Sequence, residues 1–152
     1  MPGRRRAREF AVQALYAVDI GGVTGANALS GLWAGRLDDT DKVEDPIGHE
    51  EMEFAQELVR GVTENREALD QRIEAASLNW RLPRMPAVDR NILRLGAHEL
   101  ISRPDIPASV SINEAIEVAK RFGGAESRAF VNGILDRIAA DTGRGGRRPR
   151  RS

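Results

Sequence analysis

Apolar residues recur at three- and four-residue steps along almost the whole chain, and nowhere do they alternate over a run long enough for a strand. That periodicity admits helices and little else. The breaks in it are glycines and prolines, which end helices for known conformational reasons. A first helix is predicted from about Arg5 to Asp19, with Ala7, Ala11, Ala14, Leu15 and Val18 on one face and Gly21-Gly22 as its stop. Residues 25–37 make a weaker one, because Gly25, Gly31 and Gly35 each cost about 1 kcal/mol against alanine. Leu29, Leu32, Trp33 and Leu37 give its spacing, and Asp38 to Gly48 reads as an acidic loop closed by Pro46.

A long stretch from Glu50 to Leu78 carries Ala55, Leu58, Val59, Val62, Leu69 and Ile73, with room for a restart at Gly61 to Asn65. Pro83 and Pro86 break the chain, and Pro86 opens a helix through Val88, Ile92, Leu95, Gly96 and Leu100 that ends before Pro104 and Pro107. Ser111-Ile-Asn-Glu114 has the form of a capping box for the next helix, which Gly123-Gly124 end. A last helix spans about Glu126 to Asp141. Gly133 inside it implies a close approach by another helix or by a ligand, most simply by a helix. The expected fold is all-α, a bundle of six or seven helices in one domain over residues 1–142, with an arginine-rich, disordered tail over 143–152.

At 152 residues, such a chain can bury a full core without staples. The absence of cysteine excludes disulfides, thiol nucleophiles and thiolate metal sites, and two histidines supply a metal poorly, so no metal or cofactor is expected. No stretch reaches the ~20 apolar residues of a membrane span, and the first residues lack the apolar core of a secretory signal, which points to the cytoplasm and to no membrane partner. No Ser-His-acid set or lysine-bearing phosphate loop is present, so no catalytic residue is assigned and no enzyme is expected.

Net charge is zero, yet unevenly spread. Arg4, Arg5, Arg6 and Arg8 lie at one end and Arg144, Arg147, Arg148, Arg150 and Arg151 at the other, while residues 9–143 hold 14 basic and 23 acidic residues, a net of −9. Basic ends on an acidic body fit a polyanion partner, though a solvated tail explains the C-terminal run equally well. The first run leads into a helix start, where free N–H groups and the positive dipole end also favour anions. Arg6, Gln13 and Tyr16 fall on one face there, and Tyr16, the chain's one tyrosine, can stack on a base or pack at a core edge. A second basic stretch, Lys120-Arg121-Phe122 followed by Gly-Gly-Ala-Glu126-Ser127-Arg128, joins a helix end to a helix start, where its cations also suit the dipole.

Four stretches together resemble the NusB family: Arg5 to Tyr16, Val88 to Arg94 with Glu99-Leu100, Ile106 to Gly123 containing Asn113-Glu-Ala-Ile116, and Ser127 to Asp136 containing Phe130-Val-Asn-Gly133. They keep the family's order over about residues 5–138; Gly21 to Gly48 matches nothing, and His98 stands where the family has an aromatic. The resemblance implies two small helical bundles packed together. It also implies a transcription antitermination factor that binds single-stranded boxA leader RNA jointly with the ribosomal protein NusE and acts on RNA polymerase at ribosomal RNA operons. On that resemblance the RNA surface comprises Arg4, Arg5, Arg6, Arg8, Gln13 and Tyr16, with Glu126, Ser127, Phe130 and Asn132, and the second basic stretch adds Lys120 and Arg121. The NusE face comprises Asp89, Arg90 and Leu93. A homodimer stays open, as do two other readings. One is a protein-interaction bundle without an RNA role. The other is a stand-alone relative of the NusB-like domain that precedes an rRNA cytosine methyltransferase.

Overall fold

The computed structural model describes residues 2–38, 48–78 and 80–143. The expected acidic loop and the arginine-rich tail lie outside these residues, apart from Asp38, Gly48 and Gly143, as do the side chains of Trp33 and Leu37. Seven α-helices and one short 3-10 turn form among the described residues, with no strand. They group into two units, Met1–Glu64 and Asn65–Ser152.

The first unit holds α1 (Pro2–Gly21), α2 (Gly25–Asp38) and α3 (His49–Glu64), and α1 packs on both others. Ala7, Ala11, Ala14 and Leu15 bury the expected α1 face, and Phe54, Ala55, Leu58, Val59 and Val62 supply the α3 stripe against it. The α1 stop is as the sequence predicts: Gly22 has φ +73° and its N–H donates to the Val18 carbonyl at 3.1 Å.

In the second unit come α4 (Arg66–Ala76), the 3-10 turn Leu82–Arg84, α5 (Ala87–Ser102), α6 (Ala108–Phe122) and α7 (Ser127–Asp141). Asn65 is the restart, as the N-cap residue of α4. Every residue from Asn91 to Leu100 is buried, which makes α5 the central helix, enclosed by α4, α6 and α7. A helix buried all round must satisfy its polar side chains internally. Arg94 does so with a two-pronged bond to Asp70, Nε to Oδ1 at 2.7 Å and Nη2 to Oδ2 at 3.1 Å, and a third bond to Asn91. Glu99 accepts from the Ser111 hydroxyl at 2.9 Å.

That last bond corrects the expected capping box. Helix α6 begins three residues before Ser111, at Ala108 with Pro107 as N-cap, and Ser111 lies inside it, buried against Glu99. The close approach expected at Gly133 is also misplaced. A Cβ there would meet nothing nearer than Arg137 Nη2 at 3.9 Å, whereas one on Gly96 would lie 2.7 Å from Leu135 Cδ1. The tight helix crossing is therefore α5 on α7 at Gly96, where a side chain on α5 would hold the helices apart.

Candidate nucleic-acid interface

Each unit presents one candidate patch. In the first unit it is built on α1. At 3.6 residues per turn, Arg5, Arg6, Gln13 and Tyr16 share a sector of about 100°. Arg5 and Tyr16 are exposed, and Arg6 and Gln13 are half-buried. The first turn of α1 carries no acidic residue, so the arginines add to the positive helix end rather than cancel it. Exposed Ile20 lies one turn beyond Tyr16 on the same side, an apolar extension that periodicity shows but charge-based reasoning passes over.

The other two arginines of the run differ. Arg4 and Arg8, one turn apart, both direct their guanidinium groups at the ring of Phe54 on α3, at 4.4 and 5.2 Å from its centre. Arg4 stays exposed. Arg8 is only 2% exposed, so its expected place on the RNA surface is corrected: it is a packing residue that ties α1 to α3. Stacking on a ring face suits a guanidinium because it is weakly hydrated and planar.

The second patch surrounds the turn between α6 and α7. Gly123 is required there, since a Cβ would fall 2.5 Å from the Ser127 hydroxyl oxygen and 2.8 Å from the Ala119 carbonyl. The Gly124 N–H donates to Ser127 Oγ at 2.9 Å, and Ser127 donates in turn to Asp89 Oδ1 at 2.7 Å. This chain of bonds pins the α6–α7 turn to the first turn of α5. Around it opens a cleft of about 750 Å³, walled by Trp80, Pro86, Val88, Phe122, Ala129 and Phe130, with Asp89, Glu126 and Ser127 as polar lining. The Trp80 and Phe130 rings meet at 57° with centroids 6.1 Å apart.

Of the residues expected on RNA here, Lys120, Arg121, Glu126 and Asn132 are exposed and Phe130 is half-buried at the cleft. Arg121 lies 5.4 Å over the Phe122 ring. Ser127 is buried, and its hydroxyl is committed to the turn, so it shapes the surface instead of forming it.

The expected NusE face needs larger correction. Leu93 is wholly buried in α5 and offers no atom to a partner. Asp89 is 5% exposed and belongs to the cleft through Ser127. Arg90 is half-buried and donates to the Met85 carbonyl at 3.4 Å. Trp80, a cleft wall exposed to 48%, was not singled out from sequence. It follows the α4 helix in a connecting segment, where a lone aromatic has no periodicity to mark it.

No group of three or more potential metal ligands occurs among the described residues, and none of their helices is long and apolar enough to cross a membrane. The NusB family model matches residues 5–140. The "Transcription antitermination protein NusB" of Myxococcus xanthus is 50% identical over 139 residues, covering 91% of this chain and 96% of its own. The protein of the same name from Geotalea uraniireducens is 51% identical over 140 residues, covering 92% and 96%. Among solved structures, T. maritima NusB superposes with a TM-score of 0.78 at 39% identity over 91% of each chain. A chain from the complex of antitermination factors NusB and NusE with dsRNA gives 0.80 at 25% identity, over 93% of this chain and 98% of that one. A family match over nearly the whole helical body, with half of the residues shared and the same fold, settles the kinship: this chain belongs to the NusB family.

Proposed function

We propose that this chain is a transcription antitermination factor that binds boxA leader RNA together with the ribosomal protein NusE and acts on RNA polymerase at ribosomal RNA operons. The observation that carries the reading is the α1 face, with Arg5 and Arg6 at its acid-free start and Gln13 and Tyr16 two to three turns further along the same sector. Relatives sharing half its residues are named for antitermination, and a structural relative is held in a complex with NusE and RNA. Arginine contacts phosphates in a two-pronged manner and keeps its charge, while tyrosine offers a base a stacking plane. Lys120, Arg121, Glu126, Phe130 and Asn132 make a candidate RNA patch of the second unit, and Arg90 remains the candidate for NusE. A non-catalytic, cytoplasmic role belongs to this reading, supported by relatives named as antitermination proteins.

The test is a binding titration with boxA RNA and a scrambled strand of the same length. Preference for boxA supports the proposal; equal, weak binding of both favours a protein-interaction bundle. Tyr16→Ala is expected to cost about 1–3 kcal/mol of RNA affinity, the worth of one stacked base, with the salt dependence unchanged. A fall in melting temperature without a separate affinity loss would return Tyr16 to a packing role.

A further inference from the structure

We propose that Phe54 of α3 is a positioning residue for RNA binding: its ring holds the Arg4 guanidinium by the face, so that the N–H edge of Arg4 is presented to an RNA phosphate. This inference rests on the RNA-binding reading above and adds to it a residue that touches no RNA itself.

A helix start frays readily, because its first four N–H groups have no partner within the helix. All four arginines of the N-terminal run lie in the first two turns of α1, so whatever holds those turns decides where the charges stand. The first turns of α3 supply two holds. One is Glu51, the third residue of α3, whose Oε1 accepts from the Gly48 N–H at 2.9 Å and is thereby tied to its own helix start. The same side chain packs against Gly3, where a Cβ would come within 2.8 Å of Glu51 Cγ. A carboxylate at the N-terminal end of α1 also favours the helix there. The other hold is Phe54, 6% exposed, with the guanidinium groups of Arg4 and Arg8 over its ring at 4.4 and 5.2 Å from the centre.

The two arginines use that ring differently. Arg8 is 2% exposed and shut away from any ligand, whereas Arg4 is exposed. A guanidinium stacks by its flat face and donates by its edge, so the two uses do not compete. Arg4 over Phe54 therefore keeps its edge for a phosphate while its face is held. An arginine side chain gives up much rotamer freedom when a phosphate fixes it, and the ring has removed part of that freedom before RNA arrives.

The test is a double-mutant cycle on the full chain, titrated with boxA RNA and the scrambled strand at low salt, well below the melting transition. Phe54→Leu keeps an apolar side chain in the core and removes the ring. It should weaken both strands by about 2- to 5-fold, the worth of one cation–π contact at an exposed site. Phe54→Tyr keeps the ring and should restore the affinity. In an Arg4→Ala background Phe54→Leu should cause no further loss, because the ring acts through Arg4. A second measurement needs no variant: in the proton NMR spectrum of the free protein, the Arg4 Hδ signals should lie upfield of the ordinary arginine position through the Phe54 ring current, and stay there as RNA is added. Equal losses from Phe54→Leu with and without Arg4, or no loss at all, overturn the proposal and spare the RNA reading. Arg4 signals at the ordinary position overturn it as well. Failure of the unaltered chain to bind either strand at low salt overturns the RNA reading itself, and this proposal with it.

Discussion

Arg5→Ala combined with Arg6→Ala is expected to weaken RNA binding about 100-fold at low salt. The figure follows from about 1.5 kcal/mol for each charge-assisted bond lost, the lower end of the range for hydrogen bonds to charged groups. Both residues lie on the outward sector of α1, so their removal leaves the Ala7, Ala11 and Leu15 face intact. Every RNA sequence should lose affinity alike, because phosphates carry no sequence information. The slope of log K against log salt should fall by about 0.7 for each single-strand phosphate contact removed. Arg8→Ala should behave otherwise. Its guanidinium packs on Phe54, so the variant should lose stability and keep the salt slope. An unchanged slope in the double variant would move the phosphate site off α1.

Asp70→Ala should destabilise the second unit by about 3 kcal/mol, read as a shift in the urea midpoint. Arg94 is 3% exposed in the middle of α5, and Asp70 takes the bonds from its Nε and Nη2. Removing one member of a buried pair leaves the other charge without compensation, which costs about 3–5 kcal/mol. The lower end applies because Asp70 itself is 24% exposed and water can enter the vacated space. Arg94→Met should cost less, since Asp70 is partly exposed and keeps Arg66 Nε at 3.9 Å, so its charge stays hydrated and paired at the edge of the unit. Equal losses in the two variants would mean that packing, not charge, holds this contact.

The sequence displayed its helices because their faces are amphipathic and their ends carry glycine or proline. It concealed the central one in part. Along α5, nothing in the sequence marks Asp89, Asn91, Arg94, His98 and Glu99 as interior, yet all five are buried. Their partners Asp70, Ser111 and Ser127 lie on other helices, 24, 12 and 38 residues away, so no local pattern announces them. The same distance effect disguised Ser111 as a cap, whereas the partner face at Asp89 and Leu93 came from the family resemblance. Helix periodicity fixes which residues share a side but not how many sides a helix buries. On α1 the outcome was better, because charge and period agree there: Arg5, Arg6, Gln13 and Tyr16 do share a sector. Arg8 alone of the α1 set is buried, and its reason is Phe54, 46 positions along the chain on α3. Trp80 escaped notice because its significance comes from Phe130, across the cleft on α7.

The central claim is that RNA and NusE are bound together, and the most direct measurement is boxA affinity with and without saturating NusE. The body between the arginine ends carries −9, which repels RNA away from α1. A basic ribosomal protein seated on that body would cover part of the repulsive surface and extend the positive track. BoxA affinity should then rise by a coupling of about 1–3 kcal/mol, and boxA must tighten NusE binding by the same factor. Equal boxA affinity in the presence and absence of NusE would contradict the joint mechanism and leave a helical protein that binds RNA alone.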